Sequence, residues 1–333
     1  MYTNDILDKI LSIKELSMTS LFDYKSTTIA PVELLTNFSE ASYQKFLNTY
    51  NNLLSLLTEK VGEPYYSNNG FILYNADNSN ILDKLHENEI NVDLTITSPP
   101  YNIGKEYEKK MDIDQYVEWS KQWIRKVYNI TSNNGSFWLN LGYLSIDNIG
   151  KAVPITYLLW DKIDFYLIQE IVWRYGAGVS AKKFFAPRNE KFLFYVKNKN
   201  EYIFNLDDVR DKNVKYPNQK KNGKLRCNPL GKNPTDVWDF PKVTSGKNRS
   251  SKERTSHPAQ YPLSVIDRII KVSSNKNDII LDPFSGSGTT GIAAHGNYRI
   301  YIGIEINKSY CDLSIARFEN YLNEKIKSSE NLC

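Results

Sequence analysis

An α/β fold with a mainly parallel sheet flanked by helices is what this 333-residue sequence predicts, and three observations predict it. From Phe71 onward, short β-rich apolar runs alternate with stretches of helical spacing, the pattern of β-α-β units. One such run, Ile279-Ile280-Leu281, leads through a glycine-rich turn into a helix start at Thr289. Another, Val92 to Thr97, stops at Ser98-Pro99-Pro100-Tyr101, where two prolines stiffen the backbone and withdraw two N–H donors. Open α/β sheets bind ligands beyond the C-terminal ends of their strands, so both turns fall where a site belongs.

The elements follow in order. Asn4 to about Glu63 has apolar positions at helical spacing (Ile6, Ile10, Leu11, Leu47, Leu53, Leu54, Leu57). It predicts a helical N-terminal extension over residues 1–66, interrupted near Thr28 to Pro31 and packed on the main domain. Phe71 to Tyr74 predicts a strand, Ile81 to Leu85 a short helix, and Val92 to Thr97 a buried strand. Tyr116 to Tyr128, with Val117, Trp119, Trp123, Ile124 and Val127, predicts an amphipathic helix; Ser136 to Leu139 is a strand and Val153 to Trp160 a helix. Tyr166–Tyr175 and Lys191–Lys197 are strands separated by the loop Gly176 to Pro187. Periodicity is lost from Asn198 to His257, a stretch rich in Lys, Asn, Pro, Gly and Ser that is either disordered or ordered mainly by a partner. It returns with a helix from Tyr261 to Ser273, a strand at Asp278 to Leu281, a helix from Thr289 to His295, a strand at Arg299 to Ile304 and a helix from Tyr310 to Ile326.

Composition narrows the class. No apolar run approaches the roughly 18 residues of a membrane span, and the N-terminus has no basic-then-apolar signal pattern. Cys227, Cys311 and Cys333 are widely spaced, as are His86, His257 and His295, so free thiols, a reducing cytoplasm and no metal centre are expected. The net charge of +4 is unevenly spread. Lys212 to Arg254 holds twelve basic residues against three acidic ones, a net +9, which leaves −5 for the rest. A basic segment on an acidic body fits a polyanion partner.

Chemistry concentrates at the two turns. Gly286, Gly288 and Gly291 satisfy Gly-x-Gly-x-x-Gly in a strand-to-helix context, and Glu305 ends the next strand, where an acid grips ribose hydroxyls. No Lys follows the glycines, which disfavours a P-loop. The pattern predicts a nucleoside-type cofactor and by itself leaves a dehydrogenase open. Asp282 before the turn suits a cationic or polar ligand better than pyrophosphate. The other turn supplies the Ser98 hydroxyl, proline carbonyls and the Tyr101 ring, able to hold an amino group and stack on a base, and has no role in hydride transfer.

Asp282-Pro283-Phe284-Ser285-Gly286-Ser287-Gly288-Thr289 resembles the S-adenosylmethionine-binding motif of the DNA amino-methyltransferases, and Thr97-Ser98-Pro99-Pro100-Tyr101 resembles their catalytic motif. The catalytic motif comes first, with a basic variable region between, as in the β arrangement of that family. His257-Pro258-Ala259-Gln260-Tyr261-Pro262 resembles the helix-entry segment beside the cofactor, and Trp173 to Lys197, including Arg188-Asn189-Glu190-Lys191, the segment before target recognition. Asp77, in Asn75-Ala76-Asp77, stands where the family often has Gly-Asp; the Gly is missing here. The resemblance covers Phe71 to Phe318.

It implies a Rossmann-like S-adenosylmethionine-dependent methyltransferase fold with a mainly parallel seven-stranded sheet. The catalytic half would span 67–198, a target-recognition insertion 199–256 and the cofactor half 257–333. Ser98, Pro99, Pro100 and Tyr101 would be catalytic. Asp282, Pro283, Phe284, Ser285, Gly286, Gly288, Thr289, Glu305, Asp77 and His257 would bind cofactor. Double-stranded DNA would be the partner, held by Lys220, Lys221, Lys224, Arg226, Arg249 and Arg254 of the basic segment. Trp238 and Phe240 are expected to anchor that segment in a core. Ser in place of Asp at position 98 favours N4 of cytosine over N6 of adenine. A prokaryotic, nucleoid-associated enzyme with a cognate restriction endonuclease follows from the resemblance. RNA or protein glutamine as acceptor, a nicotinamide-dependent oxidoreductase and a non-catalytic nucleic-acid-binding protein remain the competing readings.

Overall fold

Strand residues in this chain divide by parity between two cores, and that division shapes the domain. In the computed structural model the described residues are 40–105, 108, 110–176, 180–243 and 253–330. In strand β2 (Phe71–Asn75), Ile72 and Tyr74 face one core while Phe71 and Leu73 face the other. The same alternation runs through β4 (Thr131–Leu141), β8 (Asn189–Val196) and β13 (Ile300–Glu305). A strand buried on both faces needs helices on both sides.

Helices α1 (Glu40–Lys60), α2 (Asn78–Glu87) and α3 (Ile113–Ile130) cover one face, burying Tyr43, Phe46 and Leu57, then Ile81, Leu82 and Leu85, then Trp123, Ile124 and Val127. The spacing of these positions is that of a helix stripe. The chain enters α2 and α3 through aspartate caps: Asp77 accepts from the Ser79 N–H (2.8 Å) and Asp112 from the Gln115 N–H (2.9 Å). On the other face lie α5 (Leu263–Ser273), α6 (Thr289–Gly296) and α7 (Lys308–Glu330), contributing Val265, Ile266, Ile269 and Ile270, then Ile292 and Ala294, then Phe318. The short α4 (Thr156–Leu159) follows a two-stranded ribbon of β5 (Tyr143–Ile146) and β6 (Gly150–Pro154).

The sheet has nine strands in the order β1-β2-β13-β12-β3-β4-β8-β7-β11, with β1 at Tyr66–Asn68, β3 at Val92–Thr97, β7 at Tyr166–Arg174, β11 at Val237–Asp239 and β12 at Ile279–Asp282. This corrects the expectation of seven. The two additional strands are edge pieces of three residues, too short to carry a period-2 signal. The pairing remains mainly parallel: β2, β13, β12, β3 and β4 run together, as do β7 and β11, while β1–β2, β4–β8 and β8–β7 are antiparallel.

The aperiodic stretch from Asn198 is thus partly structural. Through β11 it adds a strand to the sheet, Trp238 is buried there, stacking on Trp138 (5.8 Å between centroids), and Phe240 packs on the same core. Between them and β8 lies an exposed hairpin of β9 (Lys220–Lys221) and β10 (Lys224–Leu225), turned by Asn222 and Gly223, both at positive φ. The predicted N-terminal extension is described only from Glu40, where α1 shares the main core; its earlier part lies outside the described residues.

Candidate active site

The parallel strands end on one side, and there a cleft of about 830 Å³ opens between the turns after β2, β3, β4, β12 and β13. That volume suits a small-molecule or cofactor site.

The wall after β12 is organised around Asp282. This carboxylate is fully buried and accepts four protein hydrogen bonds: from Thr97 Oγ1 (2.7 Å), Thr290 Oγ1 (2.7 Å), Tyr261 OH (3.1 Å) and the Phe284 N–H (3.1 Å). Burial pushes its pKa up and those donors pull it back. Gly286 follows at φ 51, and a Cβ there would meet His257 Nε2 at 3.0 Å. Its N–H donates to Glu305 Oε2 (2.9 Å), while Glu305 Oε1 accepts from the Asn307 N–H (2.9 Å). Burial also raises the Glu305 pKa. Each oxygen of this cleft-lining carboxylate keeps further acceptor capacity. Arg317 Nη1 braces the turn from behind, donating to the Ser287 carbonyl (3.0 Å) and Thr289 Oγ1 (2.6 Å). Its own pKa is lowered to about 10 by burial.

The wall after β3 is organised by side chains from elsewhere in the chain. Tyr101 OH lies 3.0 Å from Ser98 Oγ, 2.9 Å from Asn140 Oδ1 and 3.4 Å from Glu190 Oε2. Asn140 spends its amide N–H on the Lys191 carbonyl (3.1 Å), which fixes Oδ1 as the acceptor. A phenol between two acceptors must donate to one of them, so it accepts from Ser98. The polarity of the chain therefore leaves the Ser98 oxygen with its lone pairs for an incoming N–H. Glu190 Oε1 accepts from Lys242 Nζ (2.9 Å), and that ammonium lies 4.0 Å from the Tyr175 ring centroid. Tyr116 OH donates to the Pro100 carbonyl (3.0 Å), and among the described residues no donor reaches that of Pro99. The ring of Tyr101 lies against Gly142, where a Cβ would come within 2.9 Å of it.

The structure brings Ser98, Pro99, Pro100, Tyr101, Pro283, Phe284, Ser285, Gly286, Thr289, Glu305, Asp77 and His257 to this one cleft. Two of the expected cofactor residues are not among those that line the cleft. Asp282 does not line the cleft, because its oxygens are spent on holding β3, α5's entry and α6 together. Gly288 also faces away, at φ 71, with Ser314 Oγ 2.1 Å from where a Cβ would sit; its smallness lets α7 approach. Of the basic residues, Lys220, Lys221, Lys224, Arg226 and Arg254 are exposed, and Arg249 lies outside the described residues.

Sequence reasoning missed Asn140, Lys242 and Trp173 as cleft residues and gave Glu190 and Tyr261 no individual role. Trp173, Glu190 and Tyr261 lie within segments that carry the family resemblance. Lys242 was counted with the basic segment, and only its fold-back against Glu190 distinguishes it.

Residues 92–316 match the family model of the N6/N4 methyltransferases, described as DNA methylase. The chain belongs to this DNA methylase family. The methylase is similar to the Type II methyltransferase M.ScaI of Streptomyces caespitosus, 56% identical over 266 residues that cover 80% of this chain and 87% of the relative. It is also similar to the DNA adenine methyltransferase YhdJ of Escherichia coli (strain K12), 35% identical over 237 residues, 68% of this chain and 76% of that one. Among solved structures, the cytosine-N4-specific PvuII DNA methyltransferase shares the fold, with a TM-score of 0.60 at 17% identity over 79% of the methylase and 95% of that chain. The M1.HpyAVI–SAM complex matches with a TM-score of 0.51 at 25% identity, over 74% and 98%. The methylase takes its methyl group from S-adenosylmethionine. Its cleft fits that donor: a carboxylate at Glu305 with an acceptor site left on each oxygen, a Cβ-free approach at Gly286, and apolar surface from Phe284 and Ile306. Among the described residues no helix is long and apolar enough to cross a membrane.

Proposed function

We propose that this methylase is a site-specific Type II enzyme that methylates the exocyclic N4 of cytosine in double-stranded DNA, as the modification partner of a restriction endonuclease acting on the same site. The observation that carries the amine-methylating part of this reading is the polarised chain Ser98–Tyr101–Asn140, which leaves the serine oxygen an acceptor beside the Pro99 carbonyl.

An exocyclic amine is a poor nucleophile because its lone pair is delocalised into the ring. Two acceptors, Ser98 Oγ and the Pro99 carbonyl, take its two N–H bonds and favour a tetrahedral nitrogen whose lone pair points across the cleft. Bound S-adenosylmethionine supplies the electrophilic methyl. Glu305 would hold its ribose hydroxyls, Phe284 and Ile306 its purine, and Asp77, Ser285, Gly286, Thr289 and His257 the remainder of the contact surface. Rate enhancement then comes from orientation and fixed dipoles. The target nitrogen is out of reach in a stacked duplex, so the base must be flipped into the cleft. Stacking on Tyr101 offsets part of that cost, by about 1–3 kcal/mol. Segment 199–256 would read the site, with Lys220, Lys221, Lys224, Arg226, Arg249 and Arg254 on phosphates and base edges.

Adenine N6 is the second reading, favoured by the similarity to an adenine methyltransferase. Both amines satisfy the same two acceptors, and Ser98 in place of Asp supports cytosine. Sequencing of DNA from cells expressing the methylase, with detection of modified bases, tests the proposal. N4-methylcytosine at one sequence motif is expected. N6-methyladenine there overturns the base assignment, and unmodified DNA overturns the function.

A further inference from the structure

Phe184 and Phe185 stand exposed, Phe185 completely, in the loop that joins β7 to β8. Lys182 and Lys183 precede them and are exposed too. Phenylalanine is normally among the most buried residue types, and two adjacent exposed rings form a surface with an unmet partner.

The root of the loop belongs to the cleft. Trp173 near the end of β7 and Glu190 near the start of β8 both line it. Tyr175 closes the loop's base, its N–H donating to the Arg188 carbonyl (3.0 Å) and its hydroxyl to the Asn189 carbonyl (3.1 Å). From Glu190 back to Phe185 is five residues, at most about 18 Å of extended chain. Phe185 therefore lies within that distance of the cleft wall at Glu190, inside the reach of a duplex whose base enters the cleft. Apolar rings directly beside ammonium groups match a partner that is anionic outside and aromatic inside.

We propose that Phe185, backed by Phe184, is a wedge that enters the duplex beside the target base and fills the space left when that base flips out. Lys182 and Lys183 hold the flanking phosphates. Apolar side chains inserted between base steps are an established way of distorting a duplex. The inference rests on the methylase acting on duplex DNA.

The test is single-turnover methyl transfer to an oligonucleotide duplex carrying the methylase's mapped site. Each enzyme is assayed with the target base paired normally and with it opposite an abasic position. Flipping costs least where the base is already unpaired. Phe185→Ala is expected to slow transfer at least about tenfold on the paired duplex and to come within about threefold of the unaltered enzyme on the abasic one. Phe185→Trp, which keeps a ring, is expected to match the unaltered enzyme on both. Equal rates for Phe185→Ala and the unaltered enzyme on the paired duplex overturn the wedge, and so does an equal loss on both substrates. Lys182→Ala with Lys183→Ala should reduce the slope of log affinity against log salt by about 2; an unchanged slope removes the phosphate contacts. If the unaltered enzyme transfers nothing to any DNA, the parent reading fails, and the wedge with it.

Discussion

At the end of β12, Asp282 is closed in by donors from Thr97, Thr290, Tyr261 and Phe284, and the glycines after it are shaped by packing against α7 and His257. At the end of β3, Ser98 is held by a different device: a chain of hydroxyl, amide and carboxylate reaching through Tyr101 to Asn140 and Glu190. The first turn is a rigid backbone surface, with its one buried charge fully spent. The second is a set of oriented lone pairs, whose value lies in which atom donates to which. Steric change should therefore ruin the first turn, and loss of a single polar atom the second.

Gly286→Val gives the largest effect and the sharpest break between the turns. A β-branched residue at φ 51 is strained, and its Cβ meets the His257 ring. S-adenosylmethionine affinity, followed by calorimetry, should fall on the order of a hundredfold or more. Ser98→Ala acts on the other side. Removing one oriented acceptor should lower kcat by about 10²–10³, with cofactor affinity by calorimetry within about threefold; near-normal turnover would refute the amine-holding role. Tyr101→Phe keeps the ring and removes the hydroxyl that orients Ser98. One hydrogen bond's worth of alignment predicts a kcat about tenfold lower in steady-state assays, with DNA affinity by fluorescence anisotropy little changed.

His257 supplies the smallest effect, in stability. Burial, the dominant cause, lowers its pKa from the usual 6.5, with Lys105 and Arg317 adding to the shift. Below pH 6.5 the unfolded chain takes up this proton before the folded one does, so stability falls as pH drops toward the lowered folded value. His257→Asn should flatten the dependence of the denaturation midpoint on pH in that window.

The two turns also differ in how far the sequence reveals them. The β12 turn is contiguous: strand, Asp282, glycines and helix follow one another, with Glu305 one strand later, and the order of residues displays the order of contacts. Even so, neighbours in sequence do not share a direction, and Asp282 and Gly288 face inward while Gly286 and Ser287 face the cleft. The β3 turn shows its own residues and none of its partners. Asn140 comes from the end of β4, Glu190 from the start of β8 and Lys242 from the loop after β11. No local periodicity connects them. Lys242 is in sequence one lysine among many, and only the folding of the β11 segment against β7 lays it over Tyr175 and onto Glu190.

By itself the sequence determined the alternation of strands and helices, the two turns at strand ends and the family to which they belong, because hydrophobic periodicity and turn chemistry are local properties. The tertiary structure alone decided the nine-stranded order, which of the turn residues face the cleft, and the direction of the hydrogen bonds that make Ser98 an acceptor. Those depend on side chains far apart in sequence meeting at fixed distances, and such meetings exist only once the sheet is closed.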